Sequence, residues 1–210
     1  MFSNLKIGIT SRVTRAESYN ELRDSLAADW AIFISRILPH ACWIALPNLG
    51  EATVAYAQGW SVNALILTGG NDIGEYPHKD ATDLALLGDA LARNTPVFAV
   101  CRGLQVMQHA FGGTLTKVDA ATHVATQHAV NFMPLQGVEL AQTVQVNSYH
   151  RYGITTLADG LEAFAAAEDG TIEAARITGK HALGVMWHPE RNAEIAAHDA
   201  ALIRHIFQSE

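Results

Sequence analysis

Along the first half of the chain, short apolar runs alternate with stretches whose apolar residues recur every three or four positions. Residues 5–10, 42–46, 64–68 and 96–100 are apolar runs of strand length, bounded by turn-forming residues. Leu22, Leu26, Trp30, Phe33 and Ile37 follow helical spacing, and Ser18-Tyr19-Asn20-Glu21 has the capping-box form that predicts where this helix starts. Further helices are predicted over residues 51–58, around Leu84, Leu87 and Leu91, and over 103–111. This rhythm predicts a mostly parallel sheet with helices on both faces, a three-layer α/β/α fold.

The second half reads differently. Residues 127–132, 143–146, 161–166, 172–177 and 182–187 are short strand candidates with few helices between them, which predicts an antiparallel extension of the same sheet. A last helix is predicted over 193–207, and no linker composition interrupts the chain, so residues 1–210 read as one domain.

Composition narrows the function classes. The chain is 49% hydrophobic and 17% charged, and no apolar run approaches the roughly 20 residues of a membrane span. The formal charge of −7, without a basic block, argues against a nucleic-acid partner held by a positive surface. The first six residues carry no leader pattern, and two cysteines make no disulfide framework, so the expected compartment is the reducing cytosol. Cys42, between Ala41 and Trp43 in an apolar run, reads as a buried packing residue.

Pro96-Val97-Phe98-Ala99-Val100-Cys101-Arg102-Gly103-Leu104-Gln105 carries the most chemistry. An apolar strand delivers Cys101 to a turn from which a helix starts. Free amides and dipole at that helix start favour a thiolate and can stabilise an oxyanion. A cysteine nucleophile needs a base and the base an orienting group. His188-Pro189-Glu190, at the end of another strand, supplies both, its histidine and glutamate two positions apart. Thr68-Gly69-Gly70-Asn71-Asp72 ends a parallel strand in a loop whose amides can face a ligand, and the Gly70 N–H is the candidate second oxyanion donor.

These segments, with Asn147-Ser148-Tyr149-His150, resemble the class I glutamine amidotransferase superfamily, flavodoxin-like in fold. Within it they are most similar to the free-standing γ-glutamyl hydrolases of the peptidase C26 type. The resemblance implies a Cys101, His188, Glu190 triad and oxyanion donors at the amides of Gly70 and Arg102, or of Leu104 if the turn shifts. It also implies that Gly69, Asn71, Gln105 and the Ser148–Tyr149 backbone bind the glutamyl group. Gly8-Ile9-Thr10-Ser11-Arg12 and the Glu17–Arg23 segment resemble the branch that acts on γ-glutamyl-CDP-amidate in capsule phosphoramidate synthesis. Arg12, after the first strand, and Arg23, on the predicted first helix, would reach the mouth of the site, where a guanidinium fork suits phosphate.

The implied reaction is hydrolysis through a thioester on a small-molecule γ-glutamyl substrate, nucleotide-linked in the narrower resemblance. It requires no metal or other cofactor. His123 and His128, five apart, show no dependable metal-ligand pattern with a third residue and read as packing or family-typical histidines. A γ-glutamyl-γ-aminobutyrate hydrolase and a glutaminase subunit serving a separate synthase would use the same triad. A non-catalytic sensor would not need it. The oligomeric state is not written in these residues.

Overall fold

The structure, a computed structural model, describes residues 5–208; the reading of residues 1–4 as a plain lead-in lies outside them. The first half contains β1 (Lys6–Thr10), β2 (Arg12–Arg15), β3 (Leu22–Ser25), α1 (Ala28–Ile37), β4 (Cys42–Leu46) and α2 (Ala52–Gly59). It continues with β5 (Ala64–Leu67), α3 (Pro77–Ala92), β6 (Val97–Val100) and α4 (Arg102–Ala110). The second half holds β7 (Thr116–Lys117), α5 (Ala120–His123), β8 (Val124–Phe132), β9 (Thr143–Tyr149) and β10 (Tyr152–Gly153). Then come β11 (Leu161–Ala167), β12 (Ile172–Ile177), β13 (Ala182–Val185), a 3-10 turn (Pro189–Arg191) and α6 (Ala197–Gln208).

Nine strands form one sheet in the order β4-β1-β5-β6-β13-β12-β11-β8-β9. Pairing is parallel from β4 through β13 and antiparallel from there to β9, so the expected mixed sheet is present. β5, β6 and β13 are buried along their whole length, which is why they read as continuous apolar runs rather than alternating ones. Phe98 and Val100 of β6 face a core built with Trp30 and Phe33 of α1 and Leu202 and Ile206 of α6. Val97 and Ala99 face the opposite core with Leu86 and Leu87 of α3 and Leu104 and Met107 of α4. Helices on both faces complete the three layers.

Two local expectations are corrected. The Ser18–Glu21 box does not start a helix: β2 and β3 form an antiparallel hairpin, and α1 begins only at Ala28. The hairpin prevails because partners distant in sequence hold it. Asn71 bonds both backbone groups of Val13 (2.8 and 3.0 Å), Asn48 is clamped by Asp24, and the Thr14 and Ser25 hydroxyls meet at 2.6 Å. Leu22, read as the first residue of an apolar helical stripe, stands exposed. Cys42 is exposed rather than packed, because β4 is the sheet edge and only Leu46 of that strand is fully buried. No described helix is long and apolar enough to cross a membrane.

Candidate active site

The parallel strands β5 and β6 and the late strand β13 end side by side, and the loops that follow them meet there. Val185 is in register with Val100, so Cys101, one residue past β6, lies close to His188, three residues past β13. Cys101 is bonded through its N–H to the Val185 carbonyl (2.7 Å) and has φ 51°, ψ −104°. A positive φ is uncommon for a residue with a Cβ and marks a strained strand-to-helix elbow. α4 starts at this elbow, and no side chain caps its first amides.

The glycines beside the elbow answer to close approaches. A Cβ on Gly103 would collide with the Leu67 carbonyl, so α4 could not pack on β5. A Cβ on Gly69 would stand 2.5 Å from His188 Cε1 and 3.4 Å from Cys101 Cβ. The Gly69–Gly70 loop therefore lies against both the cysteine and the imidazole.

His188 is buried and fixed on two sides. Its Nδ1 lies 2.8 Å from Glu190 Oε1, which commits the Nδ1 proton to the carboxylate and turns Nε2 toward Cys101. The Asn147 side chain clamps its backbone, accepting from His188 N–H (2.9 Å) and donating to its carbonyl (2.8 Å). Burial alone would lower the imidazole pKa. The Cys101 side chain, and then Glu190, outweigh it and raise the value from 6.5 to about 9.

The Arg102 guanidinium is turned onto α3, where it pairs with Asp83 and Asp80. Lys79, fully buried, shares Asp83 at 2.6 and 2.8 Å. Burial lowers the Lys79 pKa, against the opposing pull of Asp83. This buried network ties the start of α4 to α3 and turns the Arg102 guanidinium away onto α3.

Cys101 and His188 open into a cavity of about 390 Å³ that Gly70, Asn71, Gln105, Tyr149 and Arg12 also line. The structure thus brings together most of the residues expected there, with differences. Asn71 spends its side chain on Val13, so it fixes the hairpin that carries Arg12. Gln105 donates to the Tyr152 carbonyl (2.8 Å) while bordering the cavity. Ser148 is fully buried, its hydroxyl bonded to the His123 carbonyl, so only its backbone is available to a ligand.

Arg23 is not part of the cavity lining: it lies on β3, not on a helix, and its guanidinium pairs with Glu21 and Tyr19. Arg191 and Arg151 line the cavity instead, Arg191 stacking over the Tyr149 ring at 4.4 Å. Sequence reasoning passed over both, although each directly follows a motif it used.

The family model for Peptidase C26 matches residues 6–190. The chain belongs to that family. It is 30% identical to the gamma-glutamyl-CDP-amidate hydrolase of Campylobacter jejuni over 88% of this chain and 90% of that one. It is also 30% identical to the gamma-glutamyl-gamma-aminobutyrate hydrolase of Escherichia coli O157:H7, over 81% of this chain and 76% of that one. A glutamine amidotransferase from Thermotoga maritima shares the fold, with a TM-score of 0.69 at 12% identity, covering 98% of this chain and 99% of that one. The C26 chain thus has the class I glutamine amidotransferase fold that its motifs resemble.

Proposed function

We propose that this protein hydrolyses a γ-glutamyl amide with Cys101 as nucleophile, His188 as acid and base, and Glu190 as the group that orients His188. The observation that carries the reading is the His188 ring held between the Glu190 carboxylate at 2.8 Å and the Cys101 side chain, with its pKa raised to about 9. An imidazolium beside a cysteine at a helix N-terminus favours the thiolate. The thiolate sulfur attacks the γ-carbonyl carbon, and the carbonyl electrons move to oxygen, facing the Gly70 and Arg102 amides. His188 gives its proton to the departing nitrogen as the C–N bond breaks, leaving a γ-glutamyl thioester. Water, deprotonated by the now neutral His188, attacks the thioester, and glutamate leaves as the thiolate re-forms.

For the leaving group, we favour a nucleotide-linked amidate of the kind used in capsule phosphoramidate synthesis. Arg12, Arg151 and Arg191 line the cavity, and guanidinium forks suit diphosphate oxygens. In this reading Arg191 takes the role assigned to Arg23 from the sequence. The name of the Campylobacter relative supports it, whereas the Escherichia relative's name supports an aminobutyrate leaving group. The substrates are small molecules met in a reducing cytosol, which keeps Cys101 a free thiol.

The test is glutamate release from glutamine, γ-glutamyl-aminobutyrate and γ-glutamyl-CDP-amidate, assayed in parallel with the isolated protein. The nucleotide compound is expected to give the highest kcat/KM, and Cys101→Ala to abolish turnover of all three. Arg12→Ala and Arg191→Ala are expected to raise KM roughly tenfold or more for the nucleotide compound only, the scale of one lost charge-assisted contact. Failure of a folded protein to release glutamate from any of them refutes the hydrolase reading. Preference for the aminobutyrate compound refutes only the nucleotide assignment.

A further inference from the structure

Beside the cavity, which His150 helps to line, three histidines converge on one carboxylate. Glu173, on β12, is fully buried, as is His123 at the end of α5; His150 follows β9 and His128 lies on β8. His123 Nδ1 is 3.6 Å from Glu173 Oε1, His128 Nε2 is 3.6 Å from Oε2, and His150 Nε2 is 3.4 Å from Oε1. Both Glu173 oxygens, these three ring nitrogens and His128 Nδ1 are buried without a hydrogen-bond partner. A dry protein interior does not ordinarily leave so many polar atoms unmatched in one place.

The other ring nitrogens settle the tautomers. His123 Nε2 lies 2.8 Å from Asp169 Oδ2, and His150 Nδ1 lies 3.2 Å from the Tyr152 carbonyl oxygen. Carboxylate and carbonyl oxygens only accept, so each of these nitrogens carries its ring's proton. In the neutral rings, His123 Nδ1 and His150 Nε2 then present bare lone pairs to a carboxylate, acceptor facing acceptor. A proton, on a ring or on the carboxyl, or else a cation must lie between them.

The distances distinguish the two. An imidazolium N–H bonded to a carboxylate closes to about 2.7–2.9 Å. Two donors bound to one tetrahedral ion at about 2.0–2.1 Å stand about 3.3–3.4 Å apart. The His123–Glu173 and His128–Glu173 separations of 3.6 Å are too long for the first case and close to the second. Asp169 behind His123 repeats the carboxylate–histidine–metal relay that fixes a ligating ring.

We propose that His123, His128 and Glu173, whose donor atoms all lie within 4.8 Å of one another, form a binding site for a divalent transition-metal ion of the zinc type. With three protein donors the ion keeps a fourth position, which His150, 3.4 Å from Glu173 Oε1, borders. It would tie β12 to the segments on either side of the cavity wall, where His123 already accepts from Ser148 Oγ (2.8 Å) and His150 N–H (3.0 Å). The pattern was out of reach of the sequence, in which Glu173 lies far from His123 and His128. The site does not rest on the proposed hydrolysis and is tested without an activity assay.

The full chain carrying Cys42→Ser and Cys101→Ala, which removes both thiols as competing ligands, is produced in zinc-supplemented medium and desalted through EDTA. Elemental analysis is expected to find about one zinc per chain, and X-ray absorption about four nitrogen or oxygen neighbours near 2.0 Å with no sulfur. In that background Glu173→Gln is expected to lose the ion, and Asp169→Asn to weaken binding about 10–100-fold. Less than about 0.1 zinc per chain in the parent, or full retention by a folded Glu173→Gln protein, overturns the assignment. If Glu173→Gln does not fold, parent crystals at the zinc edge decide it. An anomalous peak among His123, His128 and Glu173 supports the site, and a peak elsewhere or none overturns it.

Discussion

Gly69→Ala is a small change with a large predicted effect on rate. The new methyl would start 2.5 Å from His188 Cε1, and Gly69 is not among the positive-φ glycines, so the backbone accepts alanine without strain. The whole consequence is therefore steric. Ordinary contact needs about 3.5 Å between carbons, so the methyl and the ring must separate by roughly 1 Å. The imidazole has little room to yield, since Asn147 holds its backbone and Glu190 holds Nδ1. A displacement of about 1 Å in a catalytic group is worth on the order of 100-fold in rate, and overpacking costs about 1–3 kcal/mol of stability. The assay is kcat/KM for the preferred γ-glutamyl substrate together with the rate of Cys101 alkylation by iodoacetamide, with folding checked by urea denaturation. Both rates should fall. Gly70→Ala, whose methyl would come closest to Arg12 Cβ at 3.1 Å and stay 3.7 Å from Arg102 Cδ, should lose much less. A Gly69→Ala enzyme within about threefold of wild type would refute the close packing of loop against imidazole on which this estimate rests.

Other outcomes follow from the same geometry. His188 has its pKa raised from 6.5 to about 9, so its contribution to stability is complete below pH 6.5 and is lost as pH rises through about 9. The kcat/KM profile should lose its upper limb over the same range, as the leaving group loses its proton donor. A Glu190→Gln enzyme should lose it at lower pH, and an unmoved limb would contradict the assignment. Asp83→Asn removes the carboxylate that Lys79 and Arg102 share in the interior, so chemical denaturation should record a loss of about 3–5 kcal/mol. A loss below about 1 kcal/mol would show that the two cations find other partners. Asn147→Ala strands two buried backbone groups of His188 and should cost about 1–3 kcal/mol each, with kcat falling more than KM rises. Equal effects on both constants would argue that Asn147 only supports the fold.

The central strands were legible because burial on both faces writes a continuous apolar run, as in Val97–Val100. Cys101 stood out because such a run ended on it and a helix began at once. His188 and Glu190 were legible because they are two residues apart and their pairing is local. The errors share a physical origin in contacts from far along the chain. Ser18–Glu21 carries chemistry that fits a helix start or a turn, and Asn48 and Asn71 decide for the hairpin from well downstream. Misplacing that hairpin put Arg23 on a helix, and Arg191 went unassigned. Cys42 looked interior because apolar neighbours cannot tell a central strand from an edge one. Glu173, a single acid within an apolar strand, acquires its three histidines only when β8, β9 and β12 are brought together.

The insertion of β13 between β6 and β12 bears on the order in which the protein can be made. β13 is the last strand in the chain and the one that joins the parallel half of the sheet to the antiparallel half. During synthesis Cys101 leaves the ribosome well before the strand that will lie beside it, and the roughly 90 residues that separate it from Glu190 take about 5–20 s to add. Through that interval the edge of β6 is open, and the cysteine has neither its imidazole nor the carboxylate behind it. A nascent chain therefore carries a thiol without the imidazole and carboxylate that the proposed mechanism gives it, and these arrive together with closure of the sheet.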